Sequence, residues 1–554
     1  MSTSATAEHP SDPLYVLDDP DDQKVTFFLD AMHFPYALSP LFQSMHGASF
    51  AQGVTRAASE LHAPILTVQH RVRNNFQFER FVMPEYQNDE EARQKGELAE
   101  ATLKPEIGRL RDRWEQEHLP RILEIQAELR SIAGAPPLEA ASAKNIAGIR
   151  ALQAELWTIH FRIVIPMLLA MQLFDEFFAD LFGVDADSHA LVAGIPSASV
   201  RAGGALADLA RYGQSLGLAS AITETPSDLL VTRLSESEAG REFLTRLAEF
   251  HQQYGLRQDL FDLVTPTWQE NPEYALSTIR NYLANGRDIS ADHEERARRA
   301  DQAITTAREH LASYPQPVQQ QFDGMLKAAR DAAFLQEEHN FYIDQQSLAL
   351  VRLAFLKIAR HLVDVGCLDS PDDVFMLHVD ELLSAVTGDD VDFRQLARDR
   401  RHSFEASQTM TPPPFIGAPP AGPPPGDNPM KRAMGRFFGG PPQESDDPSI
   451  IKGTPGSRGF VTGIAFVART LEEATAIRPG QILVTMTTMP PWTPLFGIAA
   501  AIVTETGGPL CHCAIVAREY GIPAVVSAHG ATTRLKSGQT ITVDGTNGVI
   551  KLEG

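Results

Sequence analysis

The chain has 554 residues, 43% of them hydrophobic and 21% charged, with a formal net charge of −23 and a pI near 5.2. That length holds about two to four domains, and that charge argues against nucleic acid and anionic membrane surfaces as partners. Cys367, Cys511 and Cys513 make no disulfide framework, so a reducing, cytoplasmic setting is expected.

Residues 1–22 read as a flexible, polar and acidic tail without the apolar stretch of a signal peptide. An apolar run from Lys24 to Asp30 leads into His33-Phe34-Pro35-Tyr36-Ala37-Leu38-Ser39-Pro40-Leu41, whose prolines mark an irregular buried segment. Pro64 to Phe81 alternates through Leu66, Val68, His70 and Val72, with Asn74-Asn75 placed to turn it, and predicts one or two strands. From about Asn88 to His402 the pattern is helical. Its most apolar run, Ile163 to Phe174, is broken by Pro166 and closed by Asp175-Glu176; it is too short to span a bilayer and predicts a core helix. Residues 411–426 are proline-rich and predict a semi-rigid polyproline II connection of about 50 Å, at about 3.1 Å per residue. The basic and aromatic segment 430–440 is either a docking element or a cluster within that linker. Residues 450–554 predict a compact β-rich unit with strands over Gly459–Val467 and Gln481–Val484 and a short helix at Leu471–Ala476. No fixed-period repeat is present.

Chemistry concentrates in one stretch of that last unit, Thr504 to Val525. Ala501-Ile502-Val503 predicts a short buried strand, Gly507-Gly508 a turn, and His512 to Tyr520 a helix stopped by Gly521 and Pro523. His512 is therefore presented at a helix N-terminus, where unpaired N–H groups and the helix dipole favour a phosphate. Neutral imidazole is also a competent nucleophile, so a phosphohistidine can form there and pass its phosphoryl group on. A capped structural histidine is the bland alternative. Adjacent Cys511 and Cys513 do not have the spacing of a metal site, and no metal is expected there.

These residues resemble the phosphohistidine motif of the swivelling domain in the phosphoenolpyruvate-utilising enzymes, which include phosphoenolpyruvate synthase and pyruvate phosphate dikinase. The match runs through Thr504, Gly507, Gly508, His512, Ala514 to Glu519 and Gly521 to Val525; Cys511 and Cys513 stand where the family often has Ser and Ala. The resemblance implies a β/β/α swivelling phosphohistidine domain over 450–554, with His512 phosphorylated in turnover. Thr504, Thr506, Gly507 and Gly508 are the candidate phosphate-binding positions.

Residues 24–400 resemble the substrate-binding region of rifampicin phosphotransferase and the large subunit of phenylphosphate synthase. The stretches that carry this are His33 to Leu41, Glu338-His339-Asn340-Phe341-Tyr342-Ile343-Asp344 and Asp372 to Leu377. The expected architecture is thus a tail (1–22), a mainly α-helical substrate domain with a small β element (23–402), a Pro/Gly-rich linker (403–449) and the swivelling domain (450–554). No Gly-rich ATP-binding region is recognisable. The resemblance therefore implies a dikinase-type phosphotransferase that uses ATP and Mg2+ on a separate ATP-grasp-type subunit. His512 would pass the phosphoryl group to a hydroxyl of a small, phenolic acceptor. Candidate acceptor-side residues are His33, Glu338 and His339 as positioning groups or base, and Arg71 and Arg352 as phosphate holders; structural roles remain the alternative for each. A phosphocarrier without a small acceptor, or part of an antibiotic phosphotransferase, are the competing readings.

Overall fold

The computed structural model describes residues 13–553 apart from 184–185, 286–288, 421–428, 441–442 and 444. Twelve strands fall into two sheets among these residues. The first sheet holds β1 (Thr26–Leu29), β2 (Thr67–Arg73), β3 (Phe76–Val82) and β4 (Phe415–Gly417), antiparallel in the order β2-β3-β1-β4. The β2–β3 hairpin closes through Asn74 and Asn75, both left-handed at φ 50° and 64°, which is the primed-turn geometry that asparagine tolerates.

The helices that shape the site are α1 (Pro40–Glu60), α2 (Ala143–Phe182), α3 (Ala198–Ser215), α4 (Glu273–Asn285), α5 (Gln316–His339), α6 (Leu348–Asp364), α7 (Pro429–Phe438) and α8 (His512–Tyr520). A π-helical stretch, Asn340–Ser347, joins α5 to α6. The expected core helix is far longer than its apolar run: α2 has 40 residues and continues through Pro166. By length and composition alone α2 could cross a membrane, with a mean hydropathy of 1.5 in its most apolar window, but 67% of that window is buried by the rest of the chain. Packing on α1 and α5 accounts for its apolar character.

The second sheet comprises β5 (Ile450–Lys452), β6 (Thr454–Ser457), β7 (Phe460–Val467), β8 (Gln481–Thr485), β9 (Ala501–Thr504), β10 (Ala524–Val526), β11 (Thr540–Asp544) and β12 (Val549–Leu552), in the order β5-β12-β11-β7-β8-β9-β10-β6. β7, β8, β9 and β10 run parallel, and α8 is the crossover between β9 and β10. The helix ends as its sequence predicts, on Gly521 at φ 62°, the left-handed cap that glycine adopts without strain.

Two expectations change. Of the tail, residues 1–12 lie outside the described part, but Tyr15 and Leu17 are buried in the main core. Of the linker, 421–428 lies outside, while its flanks are built into the fold. β4 completes the first sheet, and α7 docks on α2, where Arg432 bonds Glu176 and Arg436 lies 2.6 Å from Asp175. The segment 430–440 thus contains a docked helix rather than a loose cluster.

Candidate functional site

His512 occupies the first position of α8, after a turn made by Gly507 and Gly508. Gly507 is left-handed at φ 87°, and a Cβ there would stand 2.7 Å from the Cys511 sulfur. A Cβ on Gly508 would stand 2.1 Å from the carbonyl oxygen of Arg436. The end of α7 lies against this turn: Gly508 N–H donates to Phe437 O at 2.8 Å, and Leu510 N–H to Arg436 O at 3.0 Å. The glycine pair lets the end of α7 approach closely.

The imidazole is not exposed, as a free phosphocarrier histidine would be. Its side chain is 12% accessible, and Nδ1 lies 3.1 Å from Oε1 of Glu337, near the end of α5. Burial works against the Glu337 charge, but the His512 imidazole outweighs it and holds the carboxyl below its ordinary value. An ionised Glu337 accepts a hydrogen bond from Nδ1–H, and that leaves the lone pair on Nε2. Nε2 lies 3.5 Å from Thr493 Oγ1, at the limit of a hydrogen bond. Glu337 therefore favours the tautomer with the lone pair on Nε2.

His512 lines a cavity between the β-rich unit and the helical region, together with Thr487, Thr506, Cys511 and Cys513 on its own side. The cavity volume is about 160 Å³, close to that of an apolar cavity that accepts one benzene ring. The helical wall is aromatic, with Phe34, Phe42, Phe50, Trp157, Phe161 and Phe437. It also carries histidines. His33 stands in the turn after β1, where Asp30 accepts from its backbone N–H at 3.1 Å and meets its Nδ1 at 2.8 Å. Burial opposes a charged His33, yet the Asp30 carboxylate outweighs it and raises the imidazole above its ordinary value. His46, stacked on Phe42 at 4.9 Å, is held well below its ordinary value, first by burial and then by neighbouring histidines. Among the described residues neither of its ring nitrogens has a hydrogen-bond partner.

The two regions are joined around this cavity. Tyr274 on α4 donates to Pro491 O at 2.5 Å, Asn281 to Thr475 O at 2.8 Å, and Thr487 Oγ1 to Met32 O at 3.1 Å. Trp492, Phe496, Val516 and Tyr520 share one buried cluster with residues of α3 and α4. The histidine-bearing unit is seated on the helical region, with its imidazole facing the cavity.

Against protein-family models, residues 477–548 match the PEP-utilising enzyme mobile domain, and residues 160–337 match the rifampicin phosphotransferase fourth domain. The chain is a member of the PEP-utilising enzyme family. Among its relatives, chondramide synthase cmdD of Chondromyces crocatus is 31% identical over 556 residues, covering 97% of this chain and 14% of that protein. The uncharacterized phosphotransferase YvkC of Bacillus subtilis is 30% identical over 408 residues, covering 73% of this chain and 48% of that one. Rifampicin phosphotransferase of Streptomyces sviceus is 30% identical over 335 residues, covering 59% of this chain and 36% of that protein. The chain spans about half the length of these relatives or less. The family works through a phosphohistidine intermediate.

Of the residues singled out from the sequence, the chain brings His512, Thr506, Gly507, His33 and His339 to one cavity. The hydroxyl of Thr504 donates to Thr506 O at 2.9 Å, that of Thr506 to Met486 O at 3.1 Å, and the Gly508 N–H is taken by Phe437. These bonds brace the histidine turn. Glu338 does not line the cavity; it accepts from Arg201 at 2.8 Å. Arg71 is forked onto Asp22, at 2.6 Å for Nη2. Arg352 is buried, bonded to Leu263 O at 2.6 Å and Glu270 at 3.0 Å. Both arginines serve the fold away from the cavity. The sequence did not point to Asp30, His46, Trp157, His160, Glu337 or Asp344. Glu337 was missed by one residue, and one residue on a helix is a turn of about 100°.

Proposed function

We propose that this chain is the acceptor-binding and phosphohistidine part of an ATP-dependent, dikinase-type phosphotransferase acting on a small phenolic hydroxyl compound in the cytoplasm. ATP and Mg2+ act on a separate ATP-grasp-type subunit, which phosphorylates His512 at Nε2. The acceptor ring lies in the aromatic cavity with its hydroxyl towards that nitrogen. In the transfer the acceptor oxygen bonds to phosphorus, the P–Nε2 bond breaks, and its electron pair returns to the imidazole. The acceptor proton passes to His33, whose Asp30 partner strengthens it as a base. Glu337 acts through His512, as a positioning residue.

The observation that carries this reading is the seating of His512: Nδ1 is held by a carboxylate of the helical region and the ring opens into an apolar cavity of one-ring size. A phosphocarrier without a small acceptor needs no such cavity. A second reading, phosphorylation of a rifampicin-like antibiotic, is favoured by the family match over 160–337; the cavity volume favours a smaller acceptor. AMP release by the chain with its ATP-binding partner tests both. Stimulation by simple phenols and not by rifampicin is expected. Stimulation by rifampicin alone establishes the second reading, and no acceptor across a broad panel of hydroxyl compounds favours the carrier.

A further inference from the structure

One cluster in the cavity has no part in that scheme. His160 of α2, His339 at the end of α5 and Asp344 of the π-helical stretch each offer a ligand atom, and the three atoms lie within 4.8 Å of one another. His160 Nδ1 is 3.0 Å from Asp344 Oδ1, and His339 Nε2 is 3.9 Å from Asp344 Oδ2. Ligand atoms about 2.1 Å from a common ion stand roughly 3.0–3.4 Å apart, so small side-chain movements complete a site. All three residues line the cavity.

The backbone explains how they meet. His339 and Asp344 are five residues apart, which on an α-helix puts them about 140° from one another. The stretch Asn340–Ser347 is π-helical. Its i→i+5 bonding brings residues five apart onto one face, and such turns recur at functional sites. His160 comes across from α2, its ring edge-on to Trp157 at 4.9 Å.

The protonation pattern is that of a ligand set. His339 Nδ1 lies 2.6 Å from Leu335 O, so Nδ1 carries the proton and Nε2 presents its lone pair. That is the arrangement by which a backbone carbonyl fixes a ligating histidine. His339 is also buried, at 3% exposure. Its Nε2 and the Asp344 carboxylate then face one another as two acceptors with no proton between them, an unfavourable pairing that a cation reverses.

We propose that His160, His339 and Asp344 bind a divalent first-row transition ion, such as Zn2+, on the wall of the cavity into which His512 opens. Two imidazoles and one carboxylate suit such an ion better than Mg2+ or Ca2+, which favour all-oxygen sites. The set leaves coordination positions open to the cavity. If the cavity is the acceptor site proposed above, the acceptor oxygen is the ligand for one of them.

Calorimetric titration of the chelator-treated full chain with Zn2+ tests the site without acceptor or ATP, so its outcome is independent of the phosphotransfer reading. One saturable ion per chain is expected. His160→Ala, His339→Ala and Asp344→Asn should each weaken binding at least tenfold, with unchanged circular dichroism, while His512→Ala binds as the parent does. Substitution with Co2+ should give the visible absorption of a nitrogen-ligated ion. Absence of saturable binding by the unaltered chain overturns the proposal whether or not the variants fold. So does a site that survives all three substitutions.

Discussion

The two walls of the cavity were built in opposite ways. On one side, residues 485–513 supply Thr487, Thr506, Cys511, His512 and Cys513 from two short loops and a helix start within one compact unit. On the other, Asp30, His33, His46, Trp157, His160, His339 and Asp344 come from a β-turn, three helices and a π-helical stretch far apart in the chain. The first wall holds the group that carries a phosphoryl, and contiguous backbone geometry is enough for that. Under the proposed function the second recognises and deprotonates an acceptor, and that needs groups converging from several directions.

If the walls divide the work in this way, changes on the helical side should spare formation of the phosphohistidine and slow its use. The largest such effect is expected at His33. The base must be neutral to accept a proton, so kcat/KM should rise with pH through a pKa above the ordinary 6.5, the direction in which Asp30 moves it. Glu79 and Asp344 add to that shift, and Phe34, Phe437 and Phe438 are its ring neighbours. His33→Gln should remove this limb of the pH profile and lower kcat/KM roughly 10²- to 10⁴-fold. Next comes Glu337. Glu337→Ala should lower kcat/KM for transfer roughly 10²-fold by freeing the His512 tautomer, and Glu337→Gln less, because an amide oxygen still accepts from Nδ1.

A change on the opposite wall sharpens the contrast. Gly508→Ala sets a methyl group against the Arg436 carbonyl. It should cost about 1–3 kcal/mol of stability in denaturant unfolding and detach α7 from the histidine turn. The smallest effect is expected at Arg71, whose guanidinium pairs with Asp22, donates to the His70 carbonyl and lies over the Phe27 ring, outside the cavity lining. Arg71→Ala should cost about 0–1 kcal/mol and leave acceptor KM unchanged; a large rise in acceptor KM would place the arginine at the site after all.

The same contrast governs what could be read from the sequence. The histidine turn was legible because strand, glycine turn, helix start and C-cap follow one another within 25 residues, each with a local signal. The hairpin at Asn74-Asn75 and the cap at Gly521 were legible for the same reason. The helical wall was only partly so. His33 and His339 reach the cavity, but Glu338 points to Arg201 and its neighbour Glu337 meets His512, a difference set by helix rotation. Asp344 reaches His339 only because the chain takes a π turn, for which the sequence gives no local rule. Arg71 and Arg352 illustrate the opposite error: cationic side chains whose partners, Asp22 and Glu270, lie 49 and 82 residues away. Docking of α7 was undecided because it depends on acidic residues at the end of α2.

The most direct test of the central claim runs transfer backwards in this chain alone, with an activated aryl phosphate as donor. Incubation with phosphorus-labelled p-nitrophenyl phosphate should release about one nitrophenol per chain in an initial burst and leave acid-labile label on His512. His512→Ala should show neither. Label on another residue, or a burst that survives His512→Ala, would contradict the account.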